Sequence, residues 1–126
     1  MSLNLKVLSQ ELAVVHLGAE ASVPAWALAS RFFSITRTDQ ELSVFCVADD
    51  VPDGTANERA WRAFRVEGPL DFGLTGVVSS LSFALAAKQI SIFSISTYET
   101  DYILVREERL ADAIAALKRA GHQFVE

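Results

Sequence analysis

Residues 64–105 read FRVEGPLDFGLTGVVSSLSFALAAKQISIFSISTYETDYILV, and the order of elements in this stretch decides the fold. From Ala63 to Glu67, Phe64 and Val66 alternate with Arg65 and Glu67, the pattern of a half-buried strand. A glycine-flanked turn, PLDFGLTG, follows. Thr75 to Lys88 then carries Val77, Val78, Leu81, Ala84 and Leu85 at helical spacing. Gly73 and Gly76 bracket the passage from strand to helix, where the first N–H groups of the helix can approach an anionic group. Ile90 to Ser96 and Asp101 to Val105 are rich in β-forming residues and make a hairpin. Its bend gathers Ser96, Thr97, Tyr98, Glu99, Thr100 and Asp101, more hydroxyls and carboxylates than a connecting turn requires.

C-terminal to the hairpin, Glu107 to Ala120 is the clearest helix: Leu110, Ala113, Ile114 and Leu117 form one stripe, acids lead, Lys118 and Arg119 close it, and Gly121 stops it. Gln123 to Val125 leaves room for a short last strand. The order strand, helix, strand, strand, helix, strand gives an α+β, ferredoxin-like βαββαβ fold with two helices on one face of the sheet. Before it, Leu3, Leu5 and Val7 alternate as a strand, and Leu12 to Leu17 is a second. Ser22 and Pro24 predict the start of a short helix running through Ala29, with the serine as cap. Phe32 to Arg37 and Leu42 to Val47 predict a hairpin around Thr38 to Glu41. Phe33, Ser34, Ile35 and Thr36 recur as Phe93, Ser94, Ile95 and Ser96, each just before a polar bend. Two related units follow from this, residues 1–59 and 60–126, the first truncated and ending in a linker over 48–59, ADDVPDGTANER.

Hydrophobic residues make up 51% of the 126 and charged residues 21%, a globular composition with enough chain for a sizeable core. The net charge of −5, with no run of basic residues, argues against a nucleic-acid partner. Cys46 is the single cysteine, which suits a reducing cytoplasm. The N-terminus has no signal-peptide pattern, and no window approaches the uninterrupted apolar length of a membrane helix. The expectation is a soluble cytoplasmic protein with no membrane association.

The stretch from Pro69 to Val105 resembles an ACT domain, and the chain is similar to the ACT_7 family of small tandem-ACT proteins, related to aspartate kinase regulatory domains and to the CASTOR arginine sensors. The resemblance implies a regulatory, non-catalytic module that binds an amino acid between paired ACT units. It implies a homodimer, a regulated protein partner and no cofactor. Its ligand site falls on Gly73, Leu74, Thr75, Gly76, Val77 and Val78, whose N–H groups meet the carboxylate, and on Thr97, Tyr98 and Asp101, which meet the ammonium and side chain. The arginine sensors place an acid where this chain has Leu74. A leucine cannot pair a buried cation, so the departure points to a smaller or less basic amino acid. The alternative is an interaction module that keeps the fold and has lost the ligand.

Other chemistry-bearing residues read as structural. His16 and His122 lie far apart with no Cys or His at metal-ligand spacing, and Cys46 sits in an apolar run. Asp49, Asp50, Asp53 and Gly54 lack the alternating acids of a calcium loop. Ser79, Ser80 and Ser82 are outside any nucleophile motif.

Overall fold

The computed structural model describes residues 1–68 and 75–126. In chain order they form β1 (Asn4–Val7), β2 (Leu12–Leu17), α1 (Ala25–Leu28), β3 (Phe33–Arg37), β4 (Leu42–Val47), β5 (Glu58–Val66), α2 (Val77–Ala86), β6 (Ile92–Ser96), β7 (Asp101–Arg106), α3 (Leu110–Arg119) and β8 (Gln123–Val125). Single 3-10 turns stand at Ala48–Asp50 and Glu107–Arg109. Two compact units result, one of residues 1–9 with 62–126 and one of residues 10–61.

In the larger unit the strands lie in the order β8, β1, β5, β7, β6. β1 runs antiparallel to β5, with Leu5 opposite Val66, and parallel to β8, with Leu5 opposite Phe124. The first nine residues therefore belong with the C-terminal half, and not with the 1–59 unit that chain order suggests. Without β1 the order is that of a ferredoxin-like sheet; the N-terminal strand is inserted beside its first strand. Leu5, Phe64, Val66, Ile103 and Val105 meet Val77, Leu81 and Leu85 of α2 and Ala113, Ala116 and Leu117 of α3 in one core. Phe64 and Phe124 add an edge-to-face ring contact at 5.5 Å.

Both helices end alike. Gln89 and Gly121 adopt left-handed backbone, at φ 57° and 101°. Ile90 N–H donates to the Leu85 carbonyl and Gln89 N–H to that of Ala86, while His122 and Gly121 donate to Leu117 and Lys118. These are Schellman closures, in which the residue after the left-handed position tucks into the core. Ile90 is accordingly 5% exposed, and β6 begins two residues later than its composition suggests.

The smaller unit has the strand order β3, β4, β2, β5, with Glu58–Trp61 supplying the last strand. Ala13, Val15, Ala27, Leu42, Val44 and Cys46 form its core, and Trp26 packs against it. Pro24 stands at the cap of α1 with no side-chain cap bond, so Ser22 does not fill the role its position suggests. The 48–59 linker is only partly one: residues 48–50 make the 3-10 turn, and β5 starts at Glu58. What holds this polar segment is pairing. Ala60, in left-handed backbone at φ 66°, makes a bulge against β2, and its N–H donates to the Glu11 carboxylate at 2.9 Å. The same oxygen takes the Arg59 guanidinium at 3.3 Å.

The internal echo has a structural counterpart. β3 and β6 occupy the outer position of each unit's strand order, next to β4 and β7. In both bends a threonine closes four residues: Thr38 N–H donates to Glu41 O at 2.9 Å, Thr97 N–H to Thr100 O at 2.8 Å. Each threonine hydroxyl also accepts from the N–H three residues on, at 3.1 Å from Glu41 and 3.3 Å from Thr100.

Candidate functional site

The site candidates of the larger unit fall on two segments, the start of α2 and the β6–β7 bend. Gly73 and Leu74 lie outside the described residues. Thr75 and Gly76 are exposed; Gly76 has φ 82°, a conformation that favours glycine, and caps α2 with no side-chain bond. The Val77 side chain is buried and Val78 packs partly against the core, so what these two residues can offer a ligand is main-chain N–H.

Across the strand exit, the bend is pinned. The Thr100 hydroxyl, 8% exposed, donates to the Val66 carbonyl at 2.5 Å. Thr97 Oγ1 donates to the Thr100 carbonyl at 3.0 Å, and Ser96 Oγ to Asp101 Oδ1 at 2.6 Å. Thr97 and Tyr98 are exposed, the latter at 80%, and Asp101 is half-buried. Thr100 thus holds the bend beside the end of β5.

A polar cavity of about 240 Å³ opens there, lined by Arg65, Val66, Glu67, Gly68, Thr97, Glu99, Thr100 and Tyr102. Of the predicted residues that are described, only Thr97 lines it. Arg65 and Glu67 form a two-pronged ion pair at 3.1 and 3.3 Å. That hydrogen bond is the main reason the Glu67 carboxyl is held below the usual carboxylate range and Arg65 stays firmly protonated. The cavity therefore presents a mutually paired cation and anion beside hydroxyls. Arg65, Glu67 and Tyr102 escape a reading of the sequence because their meeting depends on how β5 and β7 pair. The alternation that places Arg65 and Glu67 on one face is the signal available.

His122, 3% exposed, accepts from Leu3 N–H at Nδ1 (3.2 Å), and its Nε2 lies 3.4 Å from Ser80 Oγ. Burial, then the nearby chain terminus, push its pKa down. Cys46 is wholly buried, and burial followed by Asp50 pushes its thiol up. Both are core groups. Among the described residues no three His, Cys, Asp or Glu side chains converge as metal ligands, and no helix is long and apolar enough to cross a membrane.

Comparison with known proteins places this geometry. A family model described as an ACT domain matches residues 57–119, half the chain, and a second, described as an N-terminal domain, matches residues 10–54. A crystal structure of a protein from Agobacterium tumefaciens superimposes with a TM-score of 0.93 at 37% identity, covering 99% of this chain and 93% of that one. The regulatory subunit of aspartate kinase from Thermus thermophilus shares the fold at a TM-score of 0.63 and 11% identity, over 92% of this chain and 95% of that one. The cytosolic arginine sensor for mTORC1 subunit 1 of Bos taurus is 30% identical over 100 residues, 71% of this chain and 30% of the relative; this chain thus spans less than a third of that sensor. By its element order, its strand pairing and these matches, the chain belongs to the ACT_7 family of ACT domain proteins, regulatory modules related to amino-acid sensors.

Proposed function

We propose that this chain is a non-catalytic, cytoplasmic sensor that binds a free amino acid at the strand exit of its larger unit and passes the binding energy to a protein partner. The ligand carboxylate meets the N–H groups of residues 73–78, and its ammonium meets Asp101, with Thr97 and Tyr98 along the side chain. The single observation that carries this reading is the Thr100–Val66 bond, which holds the polar bend against the end of β5 beside a polar cavity. Leu74 in the turn favours an amino acid without a cationic side chain. Residues 10–61 act as a degenerate ACT-like companion, and the working form is a homodimer. Binding shifts the state of such a module only through unequal affinity for its two states, so the bend must tighten around the ligand.

A thermal-shift screen of the twenty amino acids, on protein refolded free of ligand, tests this. A ligand at a hundred times its dissociation constant adds about 2.7 kcal/mol. A rise with one or a few amino acids is expected; no rise with any overturns the reading. A second reading, an interaction module that has lost the ligand, draws on Leu74 and on the Ser96–Asp101 bond, which already occupies one carboxylate oxygen. In that case Asp101→Ala alters stability alone.

A further inference from the structure

We infer that the groove between α2 and α3 is the docking site for an acidic, amphipathic helix of a partner protein. The inference stands apart from ligand binding and supplies the output surface that a sensor needs. The two helices are both ten residues long and pack on each other, leaving a cavity of about 510 Å³ along their outer seam. Its floor is Ala84, Ala87, Ala116 and Ala120, side chains too small to fill the space above them. Phe83 stands as one wall at 79% exposure, the most exposed phenylalanine of the chain's described residues. A helix of ~10–12 Å diameter fits such a trough, since small residues let two axes come to within about 8–10 Å.

Charge decides what kind of helix. An adjoining cavity of about 260 Å³ is lined by Lys88, Arg109 and Arg119, with Asp112 the single acid. Asp112 is taken by Arg109 at 3.2 Å, and among the described residues no carboxylate pairs with Lys88 or Arg119. This cationic corner sits on a chain whose net charge is −5, so it is a local departure and not a general property of the surface. A second copy laid on the groove by a two-fold contact would bring the same cations to the interface and no further unpaired acid to meet them, because such a contact repeats one patch. An anionic membrane is flat where the groove is concave. A helix with an apolar ridge and flanking Asp or Glu satisfies both the shape and the charge.

Selection of peptides of about 14 residues from a helical display library, panned against the full chain, tests the assignment. The expected recovered sequences carry apolar residues at one-turn spacing flanked by acids. Their affinity falls at least about ten-fold with Phe83→Ser and with Lys88→Glu plus Arg119→Glu, and also as salt rises. Phe83, Lys88 and Arg119 are exposed, and an unchanged melting curve for each variant shows that the fold survives. Four results overturn the assignment: no recovered binder, binders without acid enrichment, binders indifferent to both variants, or phosphatidylserine vesicles bound in place of peptides. A dimer in sedimentation that Phe83→Ser dissolves also overturns it, by giving the groove to a second copy.

Discussion

The hydroxyl of Thr100 donates to the carbonyl of Val66 at 2.5 Å, joining residues 34 apart in sequence and fixing the hairpin bend to the last turn-ward residue of β5. Both groups are buried, so removing the donor leaves a carbonyl without its partner. Thr100→Val, which keeps the side-chain shape, should cost about 1–3 kcal/mol in urea unfolding, and Thr100→Ser much less. Equal loss in both variants would mean that packing of the threonine methyl, and not the bond, holds the bend.

Gly76 gives a second test of the same corner. A Cβ added there meets nothing within 4 Å, yet φ is +82°. Gly76→Ala therefore isolates the conformational cost, about 1–2 kcal/mol, without a steric clash. Because the α2 N–H groups depend on this cap, the variant should also lose ligand affinity while α2 keeps its helicity by circular dichroism.

The other helix end offers a stabilising change. Gln89 holds φ +57° at the closing position of α2, where Gly121 serves α3 at +101°. Gln89→Gly should remove the left-handed strain, offset partly by the looser unfolded chain, for a net gain of about 0.5–1 kcal/mol. Differential scanning calorimetry should record a higher Tm. A lower Tm would show that the Gln89 side chain makes a contact worth more than the strain.

His122 predicts a pH dependence. Its pKa is lowered in the fold by burial and by the chain terminus, so the unfolded state takes up the proton first. Stability is then complete above the ordinary histidine pKa of about 6.5 and falls as pH drops from there toward the lowered folded value. Protonation at Nδ1 would also remove the acceptor for Leu3 N–H. Urea midpoints should decline between pH 7 and pH 5, a window above the one in which Glu67, held low by Arg65, begins to protonate. His122→Gln should be less stable at pH 7 and should flatten that decline.

Much of the architecture is legible in the residues. The α3 stripe ending at Gly121, the alternation in β5 and the paired apolar runs of β3 and β4 each state their period and their ends. The repeat of FSIT as FSIS marks two strands that the structure puts in equivalent places. What escapes is whatever depends on distant pairing. Glu58 to Ala60 carries no apolar alternation, and becomes strand only because β2 and the Glu11 carboxylate hold it. β1 reads as the start of the first unit, and its insertion between β5 and β8 follows from a register that no local pattern encodes. Gln89 hides a helix end because the left-handed position is filled by a residue other than glycine. The Arg65–Glu67 pair faces the bend through cross-strand geometry, whereas Thr97, which lines the same cavity, announces itself by its place in a polar turn.

A free amino acid bound as proposed lodges between the start of α2 and the β6–β7 bend. The most direct measurement is a proton–nitrogen correlation spectrum of the ligand-free protein, titrated with each of the twenty amino acids. At least one should shift the amides of Thr75 to Val78 together with those of Ser96 to Asp101, saturably, and Asp101→Ala should abolish the effect. Titrations that move neither set, or that move only amides elsewhere, would contradict it.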